Sequence, residues 1–115
     1  MYIFVCWIIY IMPDFSMIIT TFPRKKDAER IAKELVKRRL AACVQIIPAN
    51  SVYRWNGSIK NDREVICMIK GRRKDFERVE CAIKELHSYE VPEIISVRMD
   101  GGSRDYMAWL ADSTG

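Results

Sequence analysis

Ser51-Val52-Tyr53-Arg54-Trp55-Asn56-Gly57-Ser58-Ile59-Lys60 is the stretch that decides the fold. Asn-Gly is the strongest short-range signal for a two-residue hairpin turn, because both residues tolerate the positive φ angles that such a turn needs. The flanking segments are therefore expected to be antiparallel partners. Upstream, Ser51 to Trp55 continues the apolar run Leu40 to Ile47 across Pro48-Ala49-Asn50. Proline cannot donate to a ladder, so a bend or bulge is expected there. Downstream, the return strand runs from Ser58 to Lys70. Val65, Cys67 and Ile69 lie on one side of it, and Ile66 and Met68 on the other.

Outward from the hairpin, the periodicity changes to that of helices. Ala28, Ile31, Ala32, Leu35 and Val36 follow one apolar face and predict a helix over 24–39, with Pro23 just before its start. Phe76, Val79, Ile83 and Leu86 predict a second helix over 73–87. Phe15 to Phe22 reads as a strand with Ile18 and Ile19 buried in a central position, and Glu93 to Met99 as the fourth strand. Gly101-Gly102 ends that strand. Ser103 then caps a closing helix to Ala111, whose Tyr106, Trp109 and Leu110 are expected to pack inward. The order is βαββαβ plus a terminal helix. That is an α+β, ferredoxin-like sandwich: a four-stranded antiparallel sheet with its main helices on one face. The other face is left bare in a single chain, so a partner chain is expected to cover it.

Size and composition agree. The chain of 115 residues fits one domain, half its residues are hydrophobic, and its formal net charge is +4. The basic residues cluster from Arg24-Lys25-Lys26 to Lys37-Arg38-Arg39, interrupted by Asp27, Glu29 and Glu34. That pattern reads as the solvated face of a helix, not as a nucleic-acid module. The cysteines, Cys6, Cys43, Cys67 and Cys81, form no C-x-x-C pair and point to a reducing, cytoplasmic setting. Residues 1–12 are unbroken apolar or aromatic, too few for a membrane span, which needs about 20. They read either as an extra strand or arm, or as a leader before a start at Met12 or Met17. Residues 1–11 are placed outside the domain, which is taken as 12–115. No nucleophile–base pair or phosphate-cradling glycine loop is visible, so no enzyme activity is expected.

Five segments carry a resemblance. They are Thr20-Thr21-Phe22-Pro23, Arg39-Leu40-Ala41-Ala42-Cys43-Val44, Tyr53-Arg54-Trp55-Asn56-Gly57, His87-Ser88-Tyr89-Glu90-Val91-Pro92-Glu93-Ile94 and Asp105-Tyr106-Met107-Ala108-Trp109-Leu110. In this order and spacing, from about residue 14 to the end, the chain resembles the CutA divalent-cation tolerance family. The resemblance implies a cytoplasmic homotrimer that is a metal-binding or regulatory protein, with Tyr53 and Trp55 at the trimer interface. It implies metal ligation by His87, through the His-x-Tyr motif, and by Cys43. Copper-binding relatives carry a further cysteine where this chain has Thr20, and a second histidine where it has Leu86. The metal, copper or another divalent cation, is thus expected to be weakly bound and not required for folding. On the residues alone, His87 reads first as a helix-terminal side chain bonding to the last carbonyls, and Cys43 as a buried strand residue.

The resemblance also implies a ligand cleft of Lys70, Tyr89, Glu93, Tyr106 and Trp109 near subunit boundaries, suited to a small anion or a metal complex. The same residues also read as a hydrogen-bonded structural cluster, with Glu93 pairing Lys70. The alternative function is a trimeric small-molecule sensor like the PII signalling proteins. Nucleic-acid stacking on Tyr53 and Trp55 is set aside, because trimerisation would bury them; neither nucleic acid nor membrane is expected as a partner.

Overall fold

The structure, a computed structural model, describes residues 14–115. The proposed N-terminal extension, its alternative start at Met12 and Cys6 lie outside the described residues. The elements are β1 (Phe15–Phe22), α1 (Lys25–Lys37), β2 (Cys43–Trp55), β3 (Ser58–Arg72), a 3-10 turn (Arg73–Asp75), α2 (Phe76–Leu86), β4 (Ile94–Arg98) and α3 (Arg104–Ser113). The sheet order is β2-β3-β1-β4, with every neighbouring pair antiparallel. Each βαβ crossover skips one strand, as the ferredoxin-like arrangement requires.

One sheet face carries the core. Ile18 and Phe22 of β1 and Cys67 and Ile69 of β3 are buried against Ala28, Ile31 and Leu35 of α1 and Val79, Ala82 and Ile83 of α2. The apolar stripe of α1 ends one residue short of the expectation, because Val36 is 43% exposed. Strand alternation sends Ile66, Met68, Lys70 and Arg72 to the second face. There the Arg72 side chain donates to the Ala111 carbonyl (3.0 Å) and the Thr114 carbonyl (3.1 Å), and to the Thr114 hydroxyl (3.0 Å). Arg39 donates to the Asp112 carbonyl at 2.6 Å. Two guanidinium groups thus hold the carbonyl-rich C-terminal end of α3, where positive charge is favoured. The "helices on one face" arrangement therefore describes α1 and α2, while α3 takes one end of the second face. Ser103 caps α3 as expected, accepting from the Tyr106 N–H at 3.3 Å. Leu110 is fully buried, but Tyr106 and Trp109 are exposed rather than packed inward.

The hairpin is less interrupted than the sequence suggests. Asn56 and Gly57 have positive φ (49° and 79°), as a two-residue turn of this type requires. From Trp55↔Ser58 the register runs without a break to Cys43↔Lys70, so the bulge expected near Pro48 is absent. Pro48 is accommodated by position. Counting alternate pairs from the hydrogen-bonded pair at the turn, Pro48↔Val65 falls on a non-bonded pair. The proline nitrogen then faces outward, and β2 is an edge strand. β1 pairs with β3 only from Val65 onward. The pairs from Ala49↔Glu64 to Trp55↔Ser58 therefore project beyond the sheet as a two-stranded arm of about 24 Å. The arm accounts for a longest dimension of 58 Å against 26 and 22 Å for the other two.

Candidate functional site

The arm and the segment between α2 and β4 enclose a groove of about 640 Å³. Thr21, Ser51 and Glu64 floor it, Tyr53 and Trp55 form the arm side, and Tyr89, Glu90 and Glu93 face them. Register explains the grouping: Ser51, Tyr53, Trp55 and Glu64 all belong to the second-face set of the hairpin. Glu64 is only 8% exposed. Its carboxylate accepts a hydrogen bond from the Tyr89 hydroxyl at 2.8 Å. Burial, then the bond to Glu64 and its negative charge, hold the Tyr89 phenol above its ordinary value of 10.0. Tyr89 is therefore a permanent donor at neutral pH. On the arm, Tyr53 donates to Asp62, and that bond is the main reason its phenol is also raised.

His87, the only histidine of the chain, sits beneath this groove in a fixed role. Its Nδ1 accepts from the Tyr89 backbone N–H at 3.1 Å, so Nε2 must carry the ring hydrogen. Nε2 lies 2.5 Å from the Thr21 carbonyl, its acceptor. The ring stacks on Phe22 with centroids 4.5 Å apart, and tilts against Tyr89 at 4.8 Å. Both nitrogens are committed, and no lone pair is left for a metal. The His-x-Tyr spacing thus acts here as a latch: it ties the chain leaving α2 to the end of β1 and aims Tyr89 at Glu64.

The two metal candidates do not meet. Cys43 stands opposite Lys70, and Phe22 beneath His87 stands opposite Val65, five residues and about 17 Å away along β3. Thr20, where copper-binding relatives carry a cysteine, is fully buried in the first-face core and its hydroxyl has no partner. Among the described residues, no three His, Cys, Asp or Glu side chains converge as a metal site. One chain therefore does not fit a copper centre.

The expected cleft also divides. Lys70 donates to the Tyr106 hydroxyl at 3.2 Å and lies 5.3 Å from the centre of its ring, which packs near Trp109 at 5.5 Å. That cluster is at the α3 end of the sheet. Tyr89 and Glu93 belong to the groove at the arm end. Lys70 and Glu93 do not pair within a chain, because β1 stands between their strands and they are offset along it: Lys70 is opposite Met17, and Ile94, next to Glu93, is opposite Thr20. Glu64 was not anticipated as a site residue. The signal for it was its alternation with Ile66 and Met68, which placed it on their face.

The family follows from comparison of this chain with known proteins. The family model described as "CutA1 divalent ion tolerance protein" matches residues 16–113. The chain belongs to the CutA1 family. It is 40% identical over 101 residues to the divalent-cation tolerance protein CutA of Thermus thermophilus, covering 87% of this chain and 98% of that protein. Its identity to the Pyrococcus horikoshii protein of the same name is 40% over 98 residues, covering 85% and 96%. The crystal structure of CutA1 from Oryza sativa superposes with a TM-score of 0.86 at 34% identity, covering 90% of this chain and 96% of that one. The fold and the motif segments of this chain are thus those of CutA1 proteins, and these relatives' names carry no reaction.

Proposed function

We propose that this chain acts in divalent-cation tolerance as a cytoplasmic homotrimer, a binding or regulatory protein with no catalytic step of its own. The observation that carries this reading is the family match, which runs through almost the whole described domain and includes the His87 latch and the hairpin. The apolar surface supports assembly. Val52 and Ile59 on the arm are 68% and 71% exposed, and Ile95 and Val97 on the second sheet face are nearly half exposed. Exposed apolar side chains on both the arm and the sheet call for a partner. A head-to-tail ring of identical chains would give each arm and each bare face a neighbour. Free thiols at Cys43, Cys67 and Cys81 suit a reducing compartment.

Because His87 is engaged and Cys43 is distant, any divalent cation is held weakly or between chains. Titrating the reduced protein with Cu(I), Cu(II) and Zn(II) while recording its native mass tests the proposal. Expected are a mass of three chains and weak metal uptake that a His87→Gln variant leaves in place. A monomer that binds one copper tightly per chain, through His87, would overturn it. The second reading, a small-molecule sensor, is favoured by one observation: the groove has the volume of a ligand site.

A further inference from the structure

The outward ridge of α1 carries four cations that no acid answers. At about 100° per residue, Lys26, Arg30, Lys33 and Lys37 fall within an arc of about 60°, opposite the buried Ala28, Ile31, Ala32 and Leu35. All four are exposed. At the rise of an α-helix they make a line about 17 Å long. In the sequence, Asp27, Glu29 and Glu34 interrupt this basic run. On the helix they leave the ridge: Arg24 takes Asp27 at 3.1 Å, Arg38 takes Glu34 at 2.7 Å, and Glu29 lies on a flank. Among the described residues, no ion pair uses any of the four ridge cations. Two features set this line apart from an ordinary solvated face. The first is the start of α1. Arg24, Lys25 and Lys26 crowd the end of the helix where its dipole favours negative charge. Arg24 stands at the N-cap and its side chain caps no N–H. Open N–H groups and cations at one helix end attract an anion. The second is that assembly leaves the ridge open. α1 packs on the first sheet face, whereas the exposed apolar Val52, Ile59, Ile95 and Val97 are on the arm and the second face.

We propose that this ridge docks a linear chain of linked phosphates, inorganic polyphosphate. Four cations in line complement a repeating negative charge. The width of the ridge selects the occupant. Glu29 borders it on one side, and Glu34 and Glu85, which line the groove between α1 and α2, border it on the other. A flat anionic membrane, or a duplex wider than one helix, would lie over those acids and over the exposed Glu77 of α2. A single nucleic-acid strand is ordinarily held by stacking its bases on aromatic rings, and residues 24–39 contain no aromatic side chain. A bare phosphate chain needs neither the width nor the rings. The site is independent of copper or zinc uptake and of the groove at the base of the arm.

The test is calorimetric titration of the full chain with sodium polyphosphate at low and at physiological salt. The wild type is compared with a ridge pair, Arg30→Gln with Lys33→Gln, and with a control pair of equal charge loss off the ridge, Lys74→Gln with Lys84→Gln. All four side chains are exposed, so fold and assembly are retained. Expected is saturable, salt-sensitive binding, weakened about tenfold in the ridge pair and within about twofold of wild type in the control pair. Orthophosphate is expected to compete only at far higher phosphate concentration, since it lacks the linked charges. The proposal is overturned by equal weakening in the two pairs, by no binding to the wild type at low salt, or by orthophosphate competing phosphate for phosphate. It is equally overturned if duplex DNA or phosphatidylserine vesicles bind the wild type more tightly than polyphosphate does, because the occupant is then a nucleic acid or a membrane.

Discussion

Replacing His87 with alanine separates a structural latch from a metal ligand. The substitution removes the bond to the Thr21 carbonyl and the bond from the Tyr89 N–H, each worth about 1 kcal/mol. It also removes the stack on Phe22, worth about 0.5–1.5 kcal/mol. The expected loss is about 3 kcal/mol, a large share of the roughly 5–15 kcal/mol by which such domains are stable. Glutamine reaches the Nε2 position and can still donate to Thr21, but it leaves the Tyr89 N–H unpaired, so His87→Gln is expected to lose about 2 kcal/mol. The assay is urea unfolding followed by far-UV circular dichroism. All variants are compared at one protein concentration, since assembly makes apparent stability concentration-dependent. The midpoint should fall with an unchanged slope. If His87→Ala unfolds within about 0.5 kcal/mol of wild type while its copper uptake is abolished, then the ring nitrogens are free in solution and the latch is wrong.

The remaining expectations concern the arm, a close approach, a thiol and the metal. Gly57→Ala forces a side chain into positive φ at the turn; it should cost about 1–2 kcal/mol and speed amide exchange over 49–64 before it affects the core. In Gly71→Ala the new Cβ would lie 2.4 Å from the Leu40 carbonyl oxygen. Backbone must move there, next to the Ala42–Lys70 bond, and the variant should lose about 1–3 kcal/mol in the same urea assay. Burial pushes the Cys67 thiol from 9.0 up to about 11. Iodoacetamide at pH 8 should therefore label the exposed Cys81 and spare Cys67 until the protein unfolds. The sign for stability follows: the thiol favours the folded state below pH 9 and withdraws that support as pH rises toward 11. Chelation should leave the melting temperature unchanged within error, since no described ligand cluster ties the fold to a metal; a marked drop would contradict this.

Most of the fold was legible because local chemistry and global topology agree. Asn56-Gly57 announced a turn whose φ angles are both positive, and the stripe Ala28, Ile31, Ala32 and Leu35 is the face that α1 buries. The errors fall where the answer depends on position in the sheet. Pro48 reads as a bulge in isolation. On an edge strand, at a non-bonded pair, it needs none. Tyr106 and Trp109 read as inward-facing by hydrophobicity. The anchoring of α3 is instead done by Leu110 and by Arg39 and Arg72, whose long side chains reach its carbonyl end. Charged residues that bind backbone carbonyls leave no periodic signature.

The candidate site was less legible for the same reason: the expected cleft residues fall into two clusters set by strand order, and Glu64 was not among them. Lys70 and Glu93 are opposite charges a sequence reader joins. With β4 on the far side of β1 from β3, they go to different ends of the molecule. Lys70 is then answered locally by Tyr106, while Glu93 is left beside Glu64 and Glu90. The sequence spreads these acids over two segments, 62–64 and 90–93, the first of them interleaved with Lys60 and Arg63. The fold brings the two segments together and leaves the lysines of α1 behind on a separate exposed surface. The cleft expected to take an anion is thus, in its arm-end half, lined by acids. That reversal follows from one register fact: Glu64 lies one pair beyond the last rung of β1, where the hairpin leaves the sheet and the segment from Ser88 to Glu93 folds against it.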